Sequence, residues 1–227
     1  MKKQWISYIV LLLFIPLTIW VGVSFFDDRG YVFISFVIVL FTLVPFFLTF
    51  EHRETNVRLL VVLAAMIALS VVGRFIFAAL PGFKPVTAIV ILTALYFGPE
   101  AGFLVGALTA IISNMYFGQG PWTPFQMFAW GIVGLLAGLP DIRTMLLKNK
   151  FVLILFGLLA GVFFSLLMDI WTVLSIDGVF NMKRYVAAVS LSIPFMLTYA
   201  VSNVVFLLLT IKPIGDKLER VKSKYGL

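Results

Sequence analysis

The stretch GRFIFAALPGFKPVTAIVILTALYFGPEAGFLVGALTAIISNMYFGQGPWTPFQMFAWGIVGLLAG, residues 73–138, decides the fold of this chain. It is apolar enough to lie in a lipid bilayer, yet five polar side chains interrupt it: Arg74, Lys84, Asn114, Gln119 and Gln126. Its proline residues are concentrated in two short segments, 81–85 (PGFKP) and 118–124 (GQGPWTP), which we call the first and second proline loops. Polar groups and broken backbone at the same places indicate a binding site rather than a plain membrane span.

The composition of the whole chain indicates an integral membrane protein. Of its 227 residues, 62% are hydrophobic and only 12% are charged, and the mean hydropathy is +1.11. A soluble domain cannot bury that much apolar surface. The apolar residues form long runs instead of alternating with polar ones, which favours helices over a barrel. We therefore predict an all-α membrane protein.

The residue inventory excludes several kinds of chemistry. The chain has no cysteine and one histidine, His52, so we expect no disulfide, no metal site and no resident cofactor. It contains no GxxxxGK[ST] phosphate loop, GxSxG or HExxH motif, so we expect no ATPase or hydrolase activity in this chain. The net charge of +7 fits the positive-inside bias of membrane proteins, and we expect no nucleic-acid partner.

Apolar segments divide the chain into eight candidate membrane helices: 5–26, 31–50, 57–80, 84–97, 101–116, 124–139, 151–176 and 185–211. The fourth and fifth are short and form either two short crossings or a re-entrant pair. We interpret residues 1–50 as a retained N-terminal transmembrane hairpin, 51–211 as a six-helix substrate-binding domain and 212–227 as a basic cytoplasmic tail. An even number of crossings places both termini on one side.

The basic residues indicate which side is cytoplasmic. Five of the 17 lie on or near one face: Arg29, Arg74, Lys84, Lys183 and Arg184. The other twelve lie on the opposite face: Lys2, Lys3, Arg53, Arg58, Arg143, Lys148, Lys150, Lys212, Lys217, Arg220, Lys222 and Lys224. The twelve-residue face is predicted to be cytoplasmic, in a cell membrane. Both proline loops and the 177–184 loop are then extracytoplasmic.

Three polar residues on different helices are predicted to share one depth near the outer leaflet. Arg74 lies about 25 Å along its helix, and Asn114 and Asp169 lie at similar heights. We expect Arg74 and Asp169 to face the bundle interior, where they can pair. Alternatively, the Arg74 side chain extends to the membrane surface, and Asp169 only caps the end of its helix. Asn203, which lies deeper, is predicted to form an interhelical hydrogen bond.

The two proline loops leave alternatives open. Trp122, held between prolines, is either a pocket wall or an interfacial anchor. The side chain of Lys84 either contacts a ligand or is exposed to solvent. Small residues spaced four apart predict close helix packing within the chain: Gly102, Gly106 and Ala110; Gly134 and Gly138; Gly157 and Gly161. Ala64 and Ala68, near the cytoplasmic end of their helix, can instead admit a partner's helix.

Residues 57–211 resemble the substrate-binding S component of energy-coupling factor (ECF) vitamin transporters. The family's AxxxA signature is present as Ala64 and Ala68 within AAMIA, residues 64–68. The runs FKPVTAIVI (83–91) and SNMYFGQGPWTPFQMFAWG (113–131) resemble the group assigned to cobalamin and its corrinoid precursors. The first two segments are additional to the six-helix core of that family.

The resemblance implies a function. An S component captures a vitamin from outside and associates through its AxxxA face with a transmembrane coupling subunit that carries two cytosolic ATPases. ATP binding and hydrolysis there make it topple and release its cargo inward. By this resemblance, and by their position, seven residues are expected to bind the substrate: Arg74, Lys84, Asn114, Gln119, Trp122, Gln126 and Asp169.

Three other functions compete with corrinoid import. The same fold can carry riboflavin, a folate or a queuosine precursor. A membrane scaffold would use the small-residue faces to bind partner helices and would have no small-molecule cargo. An intramembrane enzyme is difficult to build from this inventory of residues.

Overall fold

A computed structural model describes residues 2–25, 30–50 and 56–227 of this chain, with no side-chain description for 2–5, 46–50 and 56. The predicted all-α architecture is confirmed. The described residues form ten α-helices and a π-helical segment, Val10–Phe14, between the first two. The helices are α1 (Lys2–Ile9), α2 (Ile15–Phe25), α3 (Tyr31–Phe50), α4 (Asn56–Ile76), α5 (Val86–Phe97), α6 (Pro99–Phe117), α7 (Trp122–Gly138), α8 (Pro140–Lys148), α9 (Lys150–Asp177) and α10 (Met182–Tyr225).

Five helical stretches within the described residues are long and apolar enough to cross a membrane: Ile6–Phe25, Val57–Ile76, Pro99–Phe117, Lys150–Asp177 and Met182–Tyr225. A sixth arises if α7 and α8, which bend by 77° at Leu139, form one span. Two shorter apolar helices, Tyr31–Pro45 and Val86–Phe97, account for the remaining predicted segments. The chain is thus a multi-pass membrane protein.

The short helix α5 lies at the centre of the bundle. Eleven of its residues are buried, and it contacts α4, α6, α7, α9 and α10. Pro85 precedes it, and Gly98 ends it with a φ of 97°, a value that L side chains rarely adopt. Because Pro99 then starts α6 at once, the chain reverses direction in a single tight turn.

Glycines let two helix pairs pack backbone against backbone, as predicted. A Cβ on Gly102 of α6 would lie 2.8 Å from the carbonyl oxygen of Gly134 on α7. A Cβ on Gly161 of α9 would lie 2.5 Å from the backbone nitrogen of Ala200 on α10. Neither site has room for a side chain, so these small residues serve packing within the chain.

The N-terminal helices belong to the same hydrophobic core as the rest. Leu11, Ile15, Ile34 and Ile38 are buried together with residues of α4 to α7. Helix α3 packs against α6 and α7. The hairpin is therefore attached along the side of the bundle that α6 and α7 form.

Helix α10 differs from the sequence prediction. The sequence predicts a helix that stops near residue 211 and a separate basic tail, whereas α10 continues through Pro213 to Tyr225. Leu218 is buried, and Arg58 lies over the Tyr225 ring at 5.2 Å, so this end packs beneath the bundle.

Helix α8 was also not predicted. Arg29, His52 and Arg53 lie outside the described residues.

Candidate functional site

Arg74, in the last turn of α4, is buried at 7% exposure. Its Nη1 donates hydrogen bonds to Ser113 Oγ and, at 2.8 Å, to Asn114 Oδ1 on α6. Its Nε is buried and has no partner within the described residues. The cation is therefore held by neutral groups, and the ion pair that the sequence allows with Asp169 is not formed.

Asn114 connects three helices. While its Oδ1 accepts from Arg74, its Nδ2 donates to Thr123 Oγ1 at 2.9 Å and to Gln126 Oε1 at 2.8 Å, both on α7. Because arginine can only donate, Arg74 fixes which side of the Asn114 amide is oxygen. That choice in turn requires the oxygen of Gln126 to face Asn114.

The second proline loop is tied to the same network. Thr123 Oγ1 donates to Gln119 Oε1 at 3.0 Å and accepts a longer bond from the Gly120 backbone N–H at 3.4 Å. Gln119 Nε2 donates to the carbonyl oxygen of Ile111, nearly two turns before the end of α6, at 2.7 Å. Gln119 therefore stabilises the loop conformation.

The first proline loop folds onto α10. The backbone N–H of Lys84 donates to Ser202 Oγ at 2.8 Å, and Ser202 Oγ donates to the Lys84 carbonyl at 3.1 Å. Gly82 has a φ of 75° and packs against Thr198. These contacts hold Lys84 beside the site. Burial lowers the pKa of the Lys84 ammonium, and the charge of Arg74 lowers it further.

Aromatic rings face both cations. The guanidinium of Arg74 lies 4.6 Å from the Phe117 ring centroid and 5.4 Å from that of Trp130. Lys84 Nζ lies 5.2 Å from the same Phe117 ring. Trp130 stacks on Phe164 of α9 at 5.2 Å. Where water is scarce, the negative faces of these aromatic rings partly replace the hydration that the two cations lose.

These groups surround a cavity of about 40 Å³. Its lining comes from α4, α5, α7, α9, α10 and the first proline loop: Arg74, Lys84, Val86, Thr87, Gln126, Trp130, Phe164, Tyr199 and Asn203. The lining combines cationic and amide side chains with aromatic rings.

The structure brings together most of the residues predicted from the sequence. Arg74, Lys84 and Gln126 line the cavity, and Asn114 bonds to two of them. Gln119 belongs to the network behind the cavity wall. Asn203 donates to the Gly157 carbonyl at 3.1 Å, which is the predicted interhelical bond.

Two predicted residues lie outside the cavity lining. Asp169 is buried, as expected, but it accepts a 2.6 Å hydrogen bond from Ser192 and so links α9 to α10. Trp122 lies against Gly118 and Gly120 within its own loop. The 177–184 loop, predicted to be extracytoplasmic, contains an ion pair between Arg184 and Asp177 and contributes nothing to this lining.

Several residues at the site were not predicted, among them Ser113, Thr123, Phe164 and Tyr199. Ser113 and Thr123 each stand next to a predicted residue, so the neighbouring hydroxyls were the available signal. Phe164 and Tyr199 carry no local signal, because the chain has 24 phenylalanines and seven tyrosines.

A second, larger space lies beside the second proline loop and the start of α7. This cleft measures about 260 Å³. Pro121, Pro124 and Phe125 line it together with Tyr31 and Ile34 of α3. Phe125 thus borders the cleft, whereas the next residue, Gln126, borders the cavity.

Ala64 and Ala68 lie on an exposed face of α4. Both are exposed, as are their neighbours Val61 at 64% and Leu69 at 42%. The face is flat around the two alanines, since they offer only methyl groups. It is available to lipid or to another helix.

Comparison with known proteins identifies a family. Residues 54–215 match the family described as ECF-type riboflavin transporter, S component. No solved structure matches the chain.

Curated relatives match over a shorter stretch. A UPF0397 protein of Vibrio atlanticus is 32% identical over 100 residues, which cover 42% of this chain and 53% of the relative. A UPF0397 protein of Aliivibrio salmonicida is 32% identical over 94 residues, covering 39% and 51%. The chain thus spans about half the length of the curated relatives it matches.

Proposed function

This chain belongs to the family of ECF-type riboflavin transporter S components, and from that membership we propose that it captures a vitamin outside the cell for an ATP-driven importer. Members of this family bind the substrate and are not themselves catalytic. Membership also implies association with a transmembrane component and ATPase components. The proposal assigns ATP hydrolysis to two separate cytosolic subunits.

One observation carries the assignment of the binding site. Arg74 is a buried cation inside a membrane protein, and within the described residues its hydrogen-bond partners are the neutral side chains of Ser113 and Asn114. Burying a charge in this way is costly, and intramembrane ionisable groups usually mark a ligand or ion site. A bound substrate that supplies hydrogen-bond acceptors to Arg74 would offset this cost.

We propose cobalamin or a corrinoid precursor as the substrate. Support comes from the sequence of the two proline loops and their flanks, residues 83–91 and 113–131, which resemble the corrinoid group. A corrinoid carries many amides on an apolar ring, which suits the amide of Gln126 beside the rings of Trp130 and Phe164. Riboflavin is the second candidate, supported by the description of the family.

Any of these vitamins needs more room than the cavity of about 40 Å³. Capture therefore requires one or both proline loops to move. Phe125 borders the cleft of about 260 Å³ and Gln126 borders the cavity, so a shift of the second loop that carries the start of α7 with it would join the two spaces. In this proposal, α2 and α3 help to enclose the ligand, which gives the additional N-terminal hairpin a function.

The exposed alanine face is proposed as the docking surface for the transmembrane coupling subunit. Small residues let helix backbones approach closely, and Ala64 and Ala68 lie one turn apart on one face. A scaffold without cargo would use the same face, but it would not require a buried cation at Arg74.

Ligand binding by the isolated chain tests the proposed function. The chain is purified in detergent and titrated with cobalamin, cobinamide, riboflavin and folate, with binding followed by calorimetry. Corrinoids and flavins absorb visible light differently, so the spectrum of the purified protein identifies a co-purified compound. Saturable binding of one vitamin is the expected result, and absence of binding across the panel would favour the scaffold.

A further inference from the structure

We infer that the captured molecule carries a negatively charged group, a phosphate or carboxylate, which binds between Arg74 and Lys84. The inference rests on the proposed function and deepens it by naming the charge of the ligand. Both residues line the same small cavity and both face the ring of Phe117.

The two cations lack a counter-ion in the described part of the chain. No carboxylate of the described residues lies within ion-pair distance of Arg74 or Lys84, and Asp177 pairs with Arg184 instead. Asp169, the acidic residue closest in expected depth, is engaged by Ser192 at 2.6 Å. Two like charges placed together without compensation repel each other, so an anion would relieve both.

The lining of the cavity includes hydrogen-bond donors that have no acceptor. Arg74 Nε is buried without a partner, and the ammonium of Lys84 forms no hydrogen bond within the described residues. Because Arg74 orients Asn114 and Asn114 binds the oxygen of Gln126, the Gln126 amide nitrogen is also left for a ligand. Donors without acceptors select a ligand rich in acceptor atoms, and a phosphate or carboxylate supplies them.

The size of the cavity agrees with this role. About 40 Å³ accommodates a compact group, not a whole vitamin. The anionic group would therefore occupy the cavity, while the larger body of the ligand lies outside it.

Matched ligands that differ in charge test the inference. Cobalamin carries a phosphodiester that cobinamide lacks, flavin mononucleotide carries a phosphate that riboflavin lacks, and nicotinate carries a carboxylate that nicotinamide lacks. Dissociation constants are measured for all six with the purified full-length chain. In the pair that binds, the anionic member is expected to bind about tenfold tighter or more.

Variants separate charge recognition from the other differences between the ligands. Lys84→Gln should reduce the preference for the anionic member to a few-fold. Lys183→Gln, which removes an exposed lysine at the start of α10, is the control and should leave the preference intact. Equal binding of both members would overturn the inference and leave the proposed function standing. No binding of any member would reject both.

Discussion

Arg74 on α4 and Asn114 on α6 are joined by a hydrogen bond of 2.8 Å that sets the orientation of every amide behind the cavity wall. Arginine has no acceptor, so Asn114 must present its oxygen to it and its nitrogen to Thr123 and Gln126. One buried contact thus determines the donor pattern that a ligand meets.

Asn114→Leu tests this network through stability. The substitution keeps the approximate volume but leaves Arg74, Thr123 and Gln126 without a shared partner. Each unsatisfied buried group costs about 1–3 kcal/mol, so the free energy of unfolding in detergent should fall by at least that much. Ser190→Leu, on an exposed part of α10, is the control. A change at Asn114 no larger than at Ser190 would contradict the network.

Much of the fold follows from residue patterns in the sequence. Apolar runs of about 20 residues predict membrane helices because, in lipid, the backbone N–H and C=O groups must form hydrogen bonds with each other. Pro85 and Gly98 predict a short α5, and the glycines of α6 and α7 predict their close packing. These features are local, so neighbouring residues are enough to indicate them.

The rest depends on contacts between distant parts of the chain. Helix α10 continues past Lys212 because Leu218 is buried beneath the bundle, whereas charge density alone suggests that the helix ends there. Asp169 was expected beside Arg74 from its depth, but depth does not determine which helix face a residue occupies. Ser192, 23 residues away, engages it instead.

Enlarging the alanine face tests the docking proposal. Ala64→Trp or Ala68→Trp should abolish uptake in cells, because the bulky ring prevents close approach of a partner helix. Ligand binding by the purified variant should stay unchanged, since neither position lines the cavity and both face outward. Leu159→Trp, at an exposed position of α9, is the control. Unimpaired uptake by both alanine variants would reject this face as the docking surface.

The affinity for an anionic ligand should depend on pH through Lys84. Burial and Arg74 lower the pKa of Lys84, and only its protonated form attracts an anion. Affinity is therefore full below this lowered pKa and declines as the pH rises through it, before an ordinary lysine near pH 10.4 would titrate. Titration calorimetry between pH 7 and about 10 measures the decline. Lys84→Gln should bind more weakly but without that decline, and an unchanged pH profile in the variant would contradict the assignment.

The orientation of the chain can be tested with single cysteines, because the sequence contains none. Ser223→Cys, exposed near the C-terminus, should react with a membrane-impermeant maleimide only after the cells are permeabilised. Val179→Cys, exposed between α9 and α10, should react in intact cells. The reverse pattern would place the proline loops in the cytoplasm and exclude capture from outside.

The most direct test of the central claim is the binding of cobalamin, and of riboflavin in parallel, to the purified chain and to its Arg74→Gln variant. We predict saturable binding of one vitamin to the unmodified chain and a loss of about tenfold or more in the variant, with the variant still folded by circular dichroism. Equal affinity in a folded variant would contradict the claim that Arg74 holds the ligand.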